Sequence, residues 1–117
     1  EGNRAIDMEK AHGGSLWDLL ETQFVYPEDA AAKLMRTLLK GLEEMHSQKP
    51  GKPVMVHCDL KPESLLFKHP LPATQAERHR NWDLMTAIKI AGFGHAQEVS
   101  RDRKSLDRAG GTAYYIA

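Results

Sequence analysis

From Pro27 onward the apolar side chains Ala31, Leu34, Leu38, Leu42 and Met45, with Met35 and Leu39 beside them, recur at spacings of three and four residues. That period lays one apolar stripe along an α-helix and predicts an amphipathic helix of about five turns over residues 28–47. Pro27 suits its first turn, and Glu28 and Asp29 complement the positive end of its dipole. The run Lys49-Pro50-Gly51-Lys52-Pro53 holds two prolines and a glycine and must end it. A shorter helix is expected over residues 15–21, after a Gly13-Gly14 turn, with Ser15 as N-cap and Leu16, Leu19 and Leu20 on one face. Short β runs are expected at Val54–Val56, Leu65–Phe67 and Ala87–Ala91. Between the last two lies a polar segment, residues 68–83, with two prolines and clustered charge; it is longer than a hairpin needs and reads as an exposed flexible loop. The fold class is therefore α+β.

Charge and composition exclude several function classes. Sixteen basic and sixteen acidic residues balance, so no net field draws the chain toward nucleic acid or an anionic membrane. No apolar run approaches the roughly 20 residues that span a bilayer, and Glu1-Gly2-Asn3-Arg4 does not lead into a signal-peptide core. The single cysteine, Cys58, rules out an internal disulfide and suits a reducing compartment, so an intracellular, cytoplasmic location is expected. Six histidines with no close pair at zinc-ligand spacing give no reason to expect a metal centre.

The chemistry-bearing stretch is Val56-His57-Cys58-Asp59-Leu60-Lys61-Pro62-Glu63-Ser64-Leu65-Leu66-Phe67. Taken alone, Asp59 between a strand and a turn reads as a carboxylate bonded to local backbone, Lys61 as a solvated loop lysine, and Ser64 as a turn serine satisfying backbone groups. Cys58 reads as a partly buried, inert thiol. The stretch nevertheless resembles the catalytic loop of eukaryotic protein kinases, His-Arg-Asp-Leu-Lys-Pro-x-Asn. Ile88-Lys89-Ile90-Ala91-Gly92-Phe93-Gly94 is similar to the strand and Asp-Phe-Gly turn that follow that loop. Ile6 to Ala11 is similar to the strand entering the kinase hinge, and Gly111-Thr112-Ala113-Tyr114-Tyr115-Ile116-Ala117 to the close of the activation segment.

The resemblance implies a partial kinase-like domain over residues 1–117: hinge 6–14, helices 15–21 and 28–47, catalytic-loop-like segment 56–67, insertion 68–83 and activation-segment-like part 92–117. At 117 residues it would be a central slice, from the hinge into the mainly helical lower lobe with a short β-hairpin. The resemblance makes Asp59 the catalytic base and Lys61, typical of Ser/Thr rather than tyrosine kinases, its electrostatic partner. Glu9 and Ala11 would offer hinge backbone groups to the adenine of ATP, with Leu66 and Ala91 below it. Thr112 would lie in the activation segment, and Cys58 takes the place of an Arg that pairs with activation-segment phosphate in many kinases. Ser64 stands where the family has a metal-holding Asn and Gly92 where it has a metal-holding Asp, so the implied ATP site is expected to bind Mg²⁺ poorly or not at all. A pseudokinase is therefore expected, acting through protein partners. The alternatives are an active Ser/Thr kinase with a protein substrate, and a truncated product without function.

Overall fold

In the computed structural model, Gly2, residues 4–100, Leu106 and residues 110–116 are described. Helix α1 spans Leu16–Glu21. Its start is a reciprocal cap: the Asp18 N–H donates to Ser15 Oγ at 3.1 Å, and the Ser15 N–H to Asp18 Oδ2 at 2.9 Å. Helix α2 spans Glu28–His46, with Pro27 as its N-cap rather than a member of the first turn. Ala30, Leu34 and Leu38 are buried, whereas Met35 and Leu39 are 50% and 57% exposed. Each of the exposed pair follows a buried leucine by one residue, a rotation of about 100° that carries it off the stripe.

Four short strands form two ribbons. Strand β1 (Val54–Val56) pairs antiparallel with β4 (Gln97–Val99), and β2 (Leu65–Phe67) with β3 (Ile88–Ile90). In the second ribbon Leu65 faces Ile90 and Phe67 faces Ile88. Leu65, Phe67, Leu16, Leu19, Phe24, Leu34, Leu38 and Met85 share one buried cluster against the α2 stripe. The chain ahead of α1 is drawn onto β2, because the Gly13 N–H donates to Phe67 O at 3.1 Å and the Phe67 N–H to Gly14 O at 2.9 Å.

The segment 68–83 departs from expectation. Instead of a flexible loop it contains α3 (Gln75–Arg78) and the start of α4 (Trp82–Thr86). Thr74 caps α3 reciprocally with Glu77, with Oγ1 accepting from the Glu77 N–H at 3.2 Å. The return to the body is aromatic: His79 stacks on Phe24 with ring centres 4.9 Å apart, and Trp82 stands 5.3 Å from His79 and 6.0 Å from Tyr26. The Tyr26 hydroxyl donates to Met85 O at 2.7 Å, its burial pushes its pKa upward, and Lys33 pairs with Asp83. Met85 has no exposed surface. Prolines and charge mark residues 68–73 as irregular; α3 buries no side chain and is held by its Thr74 cap, by Arg78 Nε donating to Pro72 O at 2.8 Å and by the ring contacts of His79.

Candidate functional site

The segment joining β1 to β2 is short and closely tied. His57 is buried; its Nε2 lies 2.6 Å from Ala91 O, and its Nδ1 accepts from the Asp59 N–H at 3.2 Å. Those contacts fix the proton on Nε2, and the ring bridges this segment to the exit of β3. Cys58 adopts φ +68°, a left-handed conformation uncommon outside glycine, just ahead of Asp59. The Cys58 thiol is half-buried and lies 3.5 Å from Val56 O.

Asp59, Lys61 and Thr112 converge. The Thr112 hydroxyl donates to Asp59 Oδ1 at 2.6 Å and accepts from Lys61 Nζ at 2.6 Å, while Lys61 Nζ lies 3.3 Å from Asp59 Oδ2. The Asp59 and Lys61 side chains retain only 12% and 23% of their exposure, so the three form a closed, largely shielded ring of polar contacts. The Thr112 hydroxyl does most to hold the Asp59 carboxyl below the usual carboxylate range; burial, the next largest influence, opposes it, and Lys61 and then His95 add to the lowering. A cavity of about 320 Å³ opens beside it between Cys58, Leu60, Gly110 and Tyr115.

Ser64 and Gly92 are also neighbours, but neither offers a ligand. Ser64 is buried; its hydroxyl donates to Lys61 O at 2.8 Å and accepts from the Lys61 N–H at 3.0 Å, and so serves the 3₁₀ turn Pro62–Ser64. Gly92 sits at φ +71°, ψ +44°, and a Cβ added there would lie 3.1 Å from the Ser64 Cβ. Mg²⁺ binds through oxygen ligands in near-ideal octahedral geometry. One hydroxyl already bonded on both sides and one hydrogen atom do not fit that requirement. Among the described residues no group of three or more His, Cys, Asp or Glu side chains could hold a metal ion.

The other sequence-derived positions lie around the second ribbon. Glu9 is exposed and pairs with Lys89, which lies opposite Leu66 in the β2–β3 register; its carboxyl is lowered by Lys89 and, further off, by Lys68. Leu66, Ala11 and Ala91 are half-buried. Ala91 is fixed at both ends of its peptide unit, with its N–H donating to Ser64 O at 2.7 Å and its carbonyl facing His57. Sequence reasoning missed the structural part played by His57, whose only signal was an imidazole between two apolar β runs. It also missed the direct bond from Thr112 to Asp59, which joins residues 53 apart.

The whole chain, residues 1–117, matches the protein kinase domain. The chain belongs to the protein kinase family. Human serine/threonine-protein kinase DCLK3 is 34% identical over 110 residues, 94% of this chain and 14% of that protein. Calcium-dependent protein kinase 4 of Plasmodium falciparum is 33% identical over 105 residues, 90% of this chain and 17% of its own length. Calcium/calmodulin-dependent serine/threonine-protein kinase 1 of rice is 34% identical over 118 residues, covering 100% of this chain and 17% of that protein. The chain thus spans less than a fifth of these kinases. Kinases of this family transfer phosphate to proteins, and no helix among the described residues is long and apolar enough to cross a membrane.

Proposed function

We propose that this chain is the centre of a Ser/Thr-type protein-kinase domain that has kept the proton-handling side of its catalytic loop and lost the metal-holding side: a pseudokinase that works by engaging protein partners. In this reading Asp59 is the former base, Lys61 its electrostatic partner and Thr112 the residue that positions both. Glu9, Ala11, Leu66 and Ala91 border a nucleotide site that takes ATP weakly and without help from Mg²⁺. The observation that carries the reading is the pair Ser64 and Gly92, one hydroxyl committed to the Lys61 backbone and one position with no side chain. Phosphoryl transfer depends almost wholly on positioning and charge stabilisation. Removing one such stabilising group costs roughly 3–4 kcal/mol, a rate loss of about 10²–10³, and here both are gone.

The intact Asp59, Lys61 and Thr112 ring favours a second reading, an active Ser/Thr kinase that uses a different metal arrangement. Thermal unfolding of the full-length protein with ATP, with and without Mg²⁺, separates the two. The pseudokinase reading expects no added stabilisation from Mg²⁺ in the natural protein and its appearance in the double variant Ser64→Asn, Gly92→Asp. The left-handed backbone at Gly92 is one that Asp tolerates better than most residues. A clear Mg²⁺-dependent rise in the unvaried protein would overturn the proposal.

A further inference from the structure

Segment 68–83 folds back on α1 and closes a cavity of about 430 Å³. Two bonds hold it there: Gln75 Nε2 donates to Thr22 O at 3.2 Å, and Arg78 Nη1 reaches Thr22 Oγ1 at 3.4 Å. Thr22 is the C-cap of α1, so the cavity lies between that helix, the chain ahead of it and the segment. Leu19, Pro70 and Leu71 supply apolar lining, and His12, Asp18 and Arg78 the polar groups. None of Asp59, Lys61, Thr112, Ser64 and Gly92 lines it.

Arg78 is the informative group. It is half-buried, and no carboxylate among the described residues pairs with it. Its Nε donates to Pro72 O at 2.8 Å and its Nη1 to Thr22, which fixes the plane of the guanidinium and leaves Nη2 uncommitted among the described residues. A planar fork held in this way is prepared for a carboxylate, and a partly desolvated cation gains by meeting one. Asp18 brings the opposite sign to the same cavity. Its Oδ2 accepts from the Ser15 N–H at 2.9 Å, so the side chain is held by the helix cap and Oδ1 remains as an acceptor.

We propose that this cavity docks an acidic, apolar segment of a protein partner. A Glu or Asp carboxylate of that segment sits on Arg78, a leucine-sized side chain packs against Leu19, Pro70 and Leu71, and a backbone N–H donates to Asp18 Oδ1. The inference rests on the reading of this chain as a module that works through protein partners, and it says where one binds and by what chemistry. A carboxylate suits the cavity better than a phosphate, because Asp18 repels a dianion about twice as strongly as a single charge. Pro70, Leu71 and Arg78 all come from segment 68–83, the stretch that the kinase resemblance reads as an insertion, so the partner recognises this chain rather than the family at large.

The test is fluorescence anisotropy with the full-length protein, without nucleotide, and a labelled Ser-Leu-Glu-Leu-Ser peptide beside the same peptide with Gln or phosphoserine in place of Glu. The Glu peptide should bind about tenfold tighter than the Gln peptide, as expected for one charge-assisted pair. Arg78→Gln should erase that ratio and Arg78→Lys should keep part of it. Arg78→Gln also loses the bond to Pro72 O, so His12→Glu serves as a second variant: it adds an anion to the cavity at an exposed position and should weaken the Glu peptide about threefold while leaving the Gln peptide unchanged. No binding, equal affinities for the Glu and Gln peptides, or a Glu preference that neither variant moves would overturn the proposal. A phosphoserine peptide about tenfold tighter than the Glu peptide would overturn it in favour of a phosphorylated partner. None of these measurements involves ATP or Mg²⁺, so their failure is distinct from failure of the pseudokinase reading, which the thermal unfolding comparison tests.

Discussion

Truncating Met85 to alanine tests whether segment 68–86 is built into the body of the protein. Met85 has no exposed surface and belongs to the same cluster as Phe67, Leu34 and Leu38. The substitution removes three heavy atoms, and its cost depends on how far the surroundings can collapse into the space. Here they are pinned, because the Tyr26 hydroxyl holds Met85 O at 2.7 Å and Lys33 pairs with Asp83 two residues earlier. Buried Met→Ala changes cost about 2–5 kcal/mol, and limited collapse places this one at about 3 kcal/mol. With a urea dependence of about 1–3 kcal/mol per molar, the unfolding midpoint should fall by roughly 1–3 M. Urea titration followed by tryptophan fluorescence suits the question, since Trp82 lies in the aromatic cluster beside Tyr26. Leu39→Ala, at a position 57% exposed, is the control and should move stability by less than about 0.5 kcal/mol. If Met85→Ala moves the midpoint no more than Leu39→Ala does, α4 is not packed on the core.

Two further outcomes follow from the contacts around the site and the hinge. Thr112→Val removes the largest cause of the depressed Asp59 pKa, so NMR titration should find that pKa higher than in the parent; because the folded pKa lies below the unfolded one, the stability from this carboxylate is present above pH of about 3.9 and lost as pH falls through the folded value, and the variant should lose less on acidification, an unchanged Asp59 titration being the contrary result. Gly13→Ala would place a Cβ 2.3 Å from His69 O and 2.4 Å from the Phe67 Cβ, where Phe67 has no free space, so the segment ahead of α1 must leave β2; urea titration should read a loss of about 1–3 kcal/mol, and a neutral result would mean that the Gly13–Phe67 pairing is not formed.

Some of this architecture was legible from residue patterns and some was not. The spacing of Leu34, Leu38 and Leu42 and the Ser15–Asp18 cap act within a few residues, and the structure has α2 at Glu28–His46 and α1 starting after Ser15. Thr74-x-x-Glu77 is an equally local helix-start signal, set among two prolines and dense charge that by themselves favour a loop over 68–83. Strand β4 was missed for a different reason: Gln97-Glu98-Val99 has no strand period of its own and is ordered by pairing with β1 across more than forty positions of chain. For the site, Asp59 and Lys61 could be singled out from one short motif, and Ser64 and Gly92 by what they lack. That the Thr112 hydroxyl closes the ring between Asp59 and Lys61 depends on a long-range approach that no local pattern encodes. Ser105 and the cations Arg101, Arg103, Lys104 and Arg108, which the resemblance would place in the activation segment, lie outside the described residues.

The segment joining β1 to β2 is tied to the exit of β3 by its own contacts. His57 spans from the Asp59 N–H to Ala91 O, and the Ala91 N–H returns to Ser64 O, so the segment and the β3 exit are tied by three contacts made wholly of backbone and one imidazole. Ser64 closes its turn through the Lys61 backbone, a task that a hydroxyl performs as well as a longer amide. Gly92 takes its left-handed conformation without the roughly 1–2 kcal/mol that another residue would have to meet from elsewhere. The frame that presents Asp59, Lys61 and Thr112 is thus held by the Ser64 turn, the left-handed Gly92 and the His57 imidazole together.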